Sequence, residues 1–301
     1  MRIADYGITK EADGIAVDGV TDFVTAHVFE NGQCFRWKRE DDGSYTGIVQ
    51  GKVANVNYVN ERLLIRNATV DDFHLLWFHY FDLSINYTVV KTQLTTDPVL
   101  TEPIRFGKGL RMLNQEFWEV LVSYIISANN KIPRIAKSVE EICQAYGNPV
   151  VYRGRTFHAF PSAEQVVKGG EDVLTQLKLG LTRSGDIFSA AKVLAYKTID
   201  VQSLGTEPDV DRAREVLRNL HGVGPKIADC VLSFSGIRRD VFPTDTWMKR
   251  VMKELYGEQF ATEATVYRYA EKRYGTLMGY AQGYLFYYAW KNQIGKRNPQ
   301  V

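Results

Sequence analysis

The sequence predicts an α+β protein in which an N-terminal antiparallel β-sheet layer packs on a mostly helical body. Two observations lead to this fold class. Up to about residue 67, short aromatic and β-branched runs are separated by Gly, Asn and Asp, as in strands joined by turns. After residue 70, apolar residues recur with the period of a helix. We therefore expect an N-terminal β domain, residues 1–105, followed by a helical region, residues 106–301.

Each predicted element follows from a local pattern. The strand patterns cover residues 22–29, 34–37, 45–49, 53–59 and 63–65, with a hairpin turn at Asp41-Asp42-Gly43-Ser44. The clearest helical patterns are formed by apolar residues at 73, 76, 77 and 80; at 117, 120, 121, 124 and 125; at 139, 142 and 143; and at 190, 193 and 194. No internal repeat, linker or low-complexity tract interrupts them.

The small net charge conceals a gradient along the chain. The 301 residues include 37 Lys and Arg against 35 Asp and Glu, a balance of +2. Residues 1–100 hold 9 basic and 14 acidic side chains, residues 101–220 hold 16 and 14, and residues 221–301 hold 12 and 7. The basic excess at the C-terminal end indicates an anion-facing region, although solvated helix faces explain the charge at least as well. A modest net charge predicts few phosphate contacts and moderately salt-sensitive binding to nucleic acid.

The cysteines exclude two kinds of site. Cys34, Cys143 and Cys230 are far apart and form no C-x-x-C motif, which excludes a thiolate zinc site and a four-cysteine iron–sulfur cluster. A sparse, odd count is typical of a reducing compartment. The first five residues lack the apolar core of a signal peptide, and no apolar run is long enough to span a membrane. We therefore expect a cytoplasmic protein with no membrane partner.

The most informative stretch is 217–231, which predicts a helix–hairpin–helix. Gly222 and Gly224 bracket a tight turn where the backbone needs a positive φ or a close approach to another group. Pro225 suits the first turn of the next helix, whose apolar residues recur at 227, 230, 231 and 234. Such a hairpin directs backbone N–H groups and a positive helix end at a phosphate. A plain glycine cap followed by proline is the alternative interpretation.

A lysine and an aspartate give this region a chemical role. Lys226 lies in the first turn of the second helix, where the positive helix end disfavours an ammonium and favours a nucleophilic amine. A direct lysine–phosphate contact fits the local sequence equally well. Asp245 precedes an apolar helical pattern, so it either caps that helix or faces Lys226 at the mouth of a pocket. An amine and a carboxylate together can attack an anomeric carbon and stabilise an oxocarbenium-like transition state.

With these residues, the chain resembles the helix–hairpin–helix base-excision DNA glycosylases, the HhH-GPD superfamily. It is most similar to 8-oxoguanine DNA glycosylase/AP lyases of the bacterial, clostridial type. The resemblance covers nearly the whole chain and implies an N-terminal domain of the 8-oxoguanine glycosylase type. It implies that Lys226 is the nucleophile and Asp245 the catalytic carboxylate. The lysine distinguishes the chain from monofunctional relatives, and the missing cysteine cluster distinguishes it from endonuclease III.

The resemblance also implies a pocket for a base flipped out of the duplex. Gly32, in the segment Gly-Gln-Cys-Phe-Arg-Trp, would direct its carbonyl at the N7–H that 8-oxoguanine has and guanine lacks. Gln282 would bond the Watson–Crick edge, and Phe286, one turn later, would stack on the base. Cys230 would close the other side of the pocket, and Phe234 would line it. A hairpin glycine and ordinary core phenylalanines are the alternative interpretations.

The contacts with the rest of the duplex follow in the same way. Asn129 would fill the gap that the flipped base leaves, and Arg134 and Arg183 would contact the orphaned cytosine. The hairpin residues implied to contact DNA are His221, Gly222 and Gly224.

The chain departs from the family pattern at two places. It has Leu181-Thr182-Arg183 where relatives have Gly-aromatic-Arg, so no aromatic wedge is expected. Trp247 stands two residues after Asp245, where eukaryotic members have a histidine.

The resemblance implies a bifunctional glycosylase/AP lyase that acts as a monomer on 8-oxoguanine paired with cytosine in double-stranded DNA. The enzyme would be associated with a bacterial nucleoid and would require no cofactor. Backbone carbonyls at Arg218, Leu220 and Val223 could hold a structural monovalent or divalent cation at the hairpin. Two alternatives stay open: a glycosylase for another damaged base, with formamidopyrimidine foremost, and a catalytically silent helix–hairpin–helix DNA-binding module.

Overall fold

A six-stranded antiparallel sheet forms the N-terminal layer of the computed structural model, which describes residues 1–257, 260 and 262–295. The strand order is β1-β2-β6-β5-β4-β3. The strands of this sheet are β1 Gly7–Glu11, β2 Gly14–Asp18, β3 Lys38–Arg39, β4 Tyr45–Val49, β5 Lys52–Val59 and β6 Arg62–Arg66. The segregation of strands and helices confirms the predicted α+β class, including the strands at 45–49, 53–59 and 63–65 and the turn at 41–44.

The sheet is held by apolar side chains that alternate along its strands and pack on one helical segment. Ile15 pairs with Ile65 and Val17 with Leu63, and all four side chains are buried. They belong to the same core as the segment 70–80, which begins and ends as α-helix and has a π-helical turn, Phe73–Trp77, in between. Because strand residues point alternately to opposite faces, this pairing keeps the apolar face against the helix.

The rest of the chain is mostly helical and has its own hydrophobic core. The predicted hairpin is present, with helices that end at Arg218 and begin at Pro225. The α-helices are α1 Thr25–Phe29, α2 Val70–Asp72, α3 Phe78–Tyr80, α4 Tyr87–Leu94, α5 Pro98–Phe106, α6 Phe117–Ser127, α7 Ile132–Tyr146, α8 Ala163–Gly169, α9 Glu171–Gln176, α10 Leu181–Ala195, α11 Ser203–Thr206, α12 Val210–Arg218, α13 Pro225–Phe234, α14 Thr246–Tyr256, α15 Glu263–Tyr274 and α16 Met278–Lys291.

Two predicted strands are absent from the structure. Residues 22–29 contain the short helix α1 instead of a strand, and residues 34–37 form a loop. Aromatic packing explains both results, because Phe29 stacks on Trp37 with ring centroids 4.3 Å apart. The aromatic residues that suggested strands therefore serve as core contacts between a helical turn and a loop. This is a case in which tertiary packing overrides β-propensity.

A small hairpin interrupts the helical region and was not predicted. It comprises β7 Pro149–Tyr152 and β8 Arg155–His158. Tyr152 packs with Ile48 and Val53 of the large sheet in a separate cluster, so the hairpin joins the two parts of the molecule. Its signal was the β-branched and aromatic run on either side of an Arg-Gly turn, as in a hairpin.

The predicted division at residue 105/106 stays a prediction. Residues 70–105, which we assigned to the β domain, are largely helical. Residues 258, 259, 261 and 296–301 of the predicted helical region lie outside the described residues. In the part that is described, no helix has the length and apolarity that crossing a membrane requires.

Gln33 connects the sheet layer to the helical body through its buried amide. The side-chain Nε2 donates to the carbonyls of Val28 at 2.9 Å and Arg111 at 2.8 Å. The side-chain Oε1 accepts from the N–H of Leu113 at 2.8 Å, and Gln115 donates to the Gln33 carbonyl at 2.8 Å. Gln33 is only 2% exposed, so water cannot replace these hydrogen bonds if the amide is removed.

We expect Gln33→Leu to lower the free energy of unfolding by about 3 kcal/mol, because it leaves two buried carbonyls and one buried N–H without partners. Urea unfolding of the purified variant measures this. Gln144→Leu on the exposed face of α7 is the matched control, and we expect it to change stability by less than about 0.5 kcal/mol. Equal stability of the two variants would contradict the role assigned to Gln33.

Candidate active site

A cavity between the two parts of the molecule brings the predicted base-binding and catalytic residues together. It is bordered by the loop before β3 and by α6, α13, α14 and α16. All seven predicted residues line it: Gly32, Lys226, Cys230, Phe234, Asp245, Gln282 and Phe286. These positions are separated by up to 254 residues in sequence, so their convergence is a property of the fold.

The hairpin that presents Lys226 needs one glycine for its backbone conformation. Gly222 has φ +77°, and a Cβ on it would lie 2.6 Å from the carboxylate of Asp186. Gly224 has an ordinary extended backbone, φ −90° and ψ −179°, and precedes Pro225 at the start of α13. A Cβ on Gly224 would meet no atom within 4 Å, so the space beside it is open. A positive φ is therefore required at Gly222 and not at Gly224, for which close approach to a phosphate stays a prediction.

The half-buried Lys226 is held by a hydroxyl and an aromatic face. Its Nζ donates to Ser127 Oγ at 3.3 Å and lies 5.0 Å from the centroid of the Tyr124 ring. Ser127 donates its own hydroxyl to the carbonyl of Tyr124 at 2.7 Å, so its lone pairs are available to the lysine. These contacts fix the amine at the cavity wall without pairing it with a carboxylate.

Asp245 is both a helix cap and a cavity residue. Its Oδ1 accepts from the N–H of Met248 at 2.7 Å at the start of α14. Lys226 lines the same cavity, but no ion pair shorter than 4.0 Å joins the two side chains in the part of the chain that the structure describes. The two interpretations of Asp245 are therefore compatible, because capping engages one oxygen atom of the carboxylate.

A buried ion pair braces the two helices of the hairpin behind Lys226. Arg214 of α12 donates to Asp229 of α13 at 2.6 Å, and its guanidinium lies 4.0 Å from the ring centroid of Tyr267. Asp229 is one turn beyond Lys226 on the same helix. The pair therefore fixes the angle at which α13 presents the lysine.

Gly32 lines the same cavity from the loop that precedes β3. Its φ is +86°, and a Cβ on it would lie 3.3 Å from the Phe286 ring, where it would narrow the cavity. Phe286 in turn packs edge-to-face on Trp247 with centroids 5.1 Å apart. Gln282 is buried and donates to the carbonyl of Pro243 at 3.3 Å. Trp247 therefore supports the phenylalanine predicted to stack on the base.

Cys230 contributes a neutral thiol to the cavity. Burial raises the pKa of the Cys230 thiol to about 12, although the nearby Lys226 lowers it. Cys34 and Cys143 are also buried and free, and burial raises their pKa values as well. None of the three cysteines is therefore a thiolate poised for nucleophilic attack, and the nucleophile role of Lys226 stays a prediction.

The predicted DNA-contacting residues are exposed, except Arg183, which is half-buried. Asn129 has φ +51° in the loop between α6 and α7, and Arg134 is exposed in the first turn of α7. Arg183 donates to the carbonyls of Leu179 at 3.1 Å and of Ala128, which ties the start of α10 to that loop. His221, Gly222 and Gly224 are exposed as well. The structure therefore groups Asn129, Arg134 and Arg183, although their contacts with DNA stay predictions.

The predicted cation site at the hairpin consists of backbone carbonyls. Among the described residues, no cluster of three His, Cys, Asp or Glu side chains could hold a metal ion. The carbonyl of Leu220 accepts from the N–H of Val223 at 3.2 Å and retains a second lone pair. The cation site at Arg218, Leu220 and Val223 stays a prediction.

Two residues of the site were missed by sequence reasoning. Tyr124 and Ser127 line the cavity and contact Lys226, but the sequence suggested only core and loop positions for them. Their signal was a polar pair three residues apart at the end of an otherwise apolar helix, which places both on one face.

Comparison with known proteins agrees with this geometry. Residues 17–121 match the N-terminal domain of 8-oxoguanine DNA glycosylase, and residues 122–275 match the HhH-GPD superfamily of base excision DNA repair proteins. The chain belongs to the HhH-GPD superfamily. The predicted resemblance is therefore confirmed.

Solved structures related to this HhH-GPD chain cover almost all of it. The structure of MBOgg1 in complex with a low affinity DNA ligand is 40% identical, has a TM-score of 0.92 and covers 96% of this chain and 99% of its own. The Clostridium acetobutylicum 8-oxoguanine glycosylase/lyase, in complex with double-stranded DNA containing cytosine opposite 8-oxoG, is 34% identical. It has a TM-score of 0.91 and covers 96% of this chain and 100% of its own. The N-glycosylase/DNA lyase of Saccharomyces cerevisiae is 28% identical over 77% of this chain and 68% of its own.

We expect native protein at pH 8 to react with iodoacetamide at none of its three cysteines, because only about 10⁻⁴ of a thiol with a pKa near 12 is thiolate at that pH. Mass spectrometry before and after urea unfolding measures the labelling, and unfolding should release all three thiols. A variant with an added exposed cysteine, Thr92→Cys, should label in the native state. Native labelling of Cys230 would contradict its closed, neutral environment.

Proposed function

We propose that this HhH-GPD protein is an N-glycosylase/DNA lyase that excises 8-oxoguanine paired with cytosine from double-stranded DNA. The observation that carries the proposal is the cavity in which Lys226, Asp245 and the Gly32 carbonyl meet beside an exposed hairpin. Its solved relatives include a glycosylase/lyase in complex with DNA containing that base pair. A silent DNA-binding module would not require an amine and a carboxylate in one cavity.

Lys226 and Asp245 divide the chemistry between them. Once neutral, the amine attacks C1′ of the flipped nucleotide, so that an N–C1′ bond forms while the C1′–N9 bond breaks and its electron pair leaves with the base. The Asp245 carboxylate stabilises the positive charge that develops on the sugar. Opening of the sugar gives a Schiff base, and loss of a C2′ proton then expels the 3′ phosphate by β-elimination. The Ser127 and Tyr124 contacts hold the amine before the attack.

The other walls of the cavity recognise the base. The Gly32 carbonyl accepts a hydrogen bond from the N7–H of 8-oxoguanine and repels the N7 lone pair of guanine. Gln282 and Phe286 lie on one face of α16, where they would bond the base edge and stack on its plane. Formamidopyrimidine is the second substrate we propose, since its opened ring also carries an N–H at this position.

Residues outside the cavity would read the opposite strand. Asn129 would occupy the gap in the stack, while Arg134 and Arg183 would contact the orphaned cytosine; guanidinium groups donate in a fork that suits its exposed acceptors. We propose that the enzyme acts as a monomer on the bacterial nucleoid in the cytoplasm.

We expect Lys226→Gln to abolish borohydride trapping on an 8-oxoguanine:cytosine duplex, with a loss of about 100-fold or more, because an amide cannot form a Schiff base. Denaturing gels of the covalent adduct measure this. Lys272→Gln, on the exposed face of α15, is the control and should trap like wild type. An undiminished adduct with Lys226→Gln, or none with wild type, would rule out this mechanism.

We expect wild type to prefer cytosine over adenine, guanine and thymine opposite the lesion, and Arg134→Ala to lose about tenfold of that preference, the usual magnitude for one base-edge contact. Single-turnover excision from the four duplexes measures it. Arg105→Ala, at the exposed end of α5, is the matched control. Equal excision from all four duplexes by wild type would show that Arg134 does not read cytosine.

A further inference from the structure

The hydroxyl of Tyr124 contacts the carbonyl to which we assign recognition of the lesion. Tyr124 Oη donates to the Gly32 carbonyl at 3.3 Å, across the wall of the cavity. The ring of the same residue stacks on Phe234, with centroids 5.2 Å apart and planes 13° apart, and its face carries Lys226 Nζ at 5.0 Å. One side chain thus contacts both the reader of the base and the nucleophile.

The peptide between Gly32 and Gln33 is held at both ends. Its carbonyl accepts from Tyr124, and its N–H, which belongs to Gln33, donates to Asn31 Oδ1 at 3.0 Å. The orientation of this peptide determines whether the site favours 8-oxoguanine or guanine. With the carbonyl toward the base, the peptide accepts a hydrogen bond from the N7–H of 8-oxoguanine. With the peptide turned over, its N–H would face the base and would donate to the N7 acceptor of guanine. Glycine at 32 leaves the backbone free to turn unless other groups prevent it.

The hydroxyl remains a donor under all ordinary conditions. Burial raises the pKa of Tyr124 well above its usual value, with the Cys230 and Cys34 thiols adding to the effect. A carbonyl oxygen has two lone pairs, so the Tyr124 bond leaves one for the N7–H of the lesion.

We propose that Tyr124 is a specificity-determining residue whose hydroxyl, together with Asn31, fixes the Gly32–Gln33 peptide with its carbonyl toward an 8-oxidised purine. Its ring separately positions Lys226. The inference rests on the proposed function, because it concerns how that function distinguishes 8-oxoguanine from guanine.

Tyr124→Phe separates the two roles, because it removes the hydroxyl and keeps the ring. We expect it to slow excision of 8-oxoguanine about tenfold more than it slows cleavage of a preformed abasic site, the size of one hydrogen bond. In the Lys226→Gln background, the ratio of affinities for 8-oxoguanine:cytosine and guanine:cytosine duplexes should fall about tenfold as well. Asn31→Ala should reproduce both results from the other end of the peptide.

Tyr58→Phe is the matched control, since Tyr58 also donates to a backbone carbonyl, that of Val20 at 2.7 Å, but lies in the sheet layer. An unchanged affinity ratio in Tyr124→Phe would overturn the inference, and so would an equal loss of excision and abasic-site cleavage. The two failures are distinguishable from failure of the proposed function, in which wild type itself would show neither excision nor preferential binding of the 8-oxoguanine duplex.

Discussion

The buried amide of Gln33 is the interaction on which the rest of the site depends. The side-chain amide binds three backbone groups, one in α1 and two in the loop that precedes α6, and the Gln33 carbonyl accepts from Gln115. The backbone of Gln115 continues the connection, because its N–H donates to the carbonyl of Phe234 at the end of α13. The loop that carries Gly32 is therefore fixed to the helix that carries Lys226 through two glutamines.

This arrangement explains why Gly32 and Lys226 line one cavity although they come from different parts of the fold. The sheet layer supplies Gly32, and the hairpin supplies Lys226. Gln33 and Gln115 are buried, so a shift of the sheet layer against the helical body would leave their polar groups without partners. The Arg214–Asp229 pair gives the same kind of constraint within the hairpin, where it sets the angle between α12 and α13.

The sequence predicted the parts of the site whose signals are local, and it missed those that arise only from packing. The hairpin was predictable because Gly222, Pro225 and the apolar spacing of α13 act within a few residues of each other. The strand predicted over 22–29 was wrong because Phe29 and Trp37 stack on each other across a loop, which no local pattern reveals. The role of Tyr124 was hidden for the same reason, since its hydroxyl bonds to a residue 92 positions away.

The charge gradient takes on a different meaning in the structure. Several cations of the basic C-terminal segment are engaged within the protein: Arg238 pairs with Asp240, Arg273 with Asp97, and Lys291 with Glu30. The excess of positive charge in this segment is therefore larger than the number of cationic side chains free to contact a phosphate backbone. The exposed hairpin offers backbone N–H groups and the positive end of α13, and in the proposed function these would bind phosphate without a side-chain charge. Counterion release depends on the number of cationic side chains that contact phosphate. Binding through backbone N–H groups therefore depends only moderately on salt concentration.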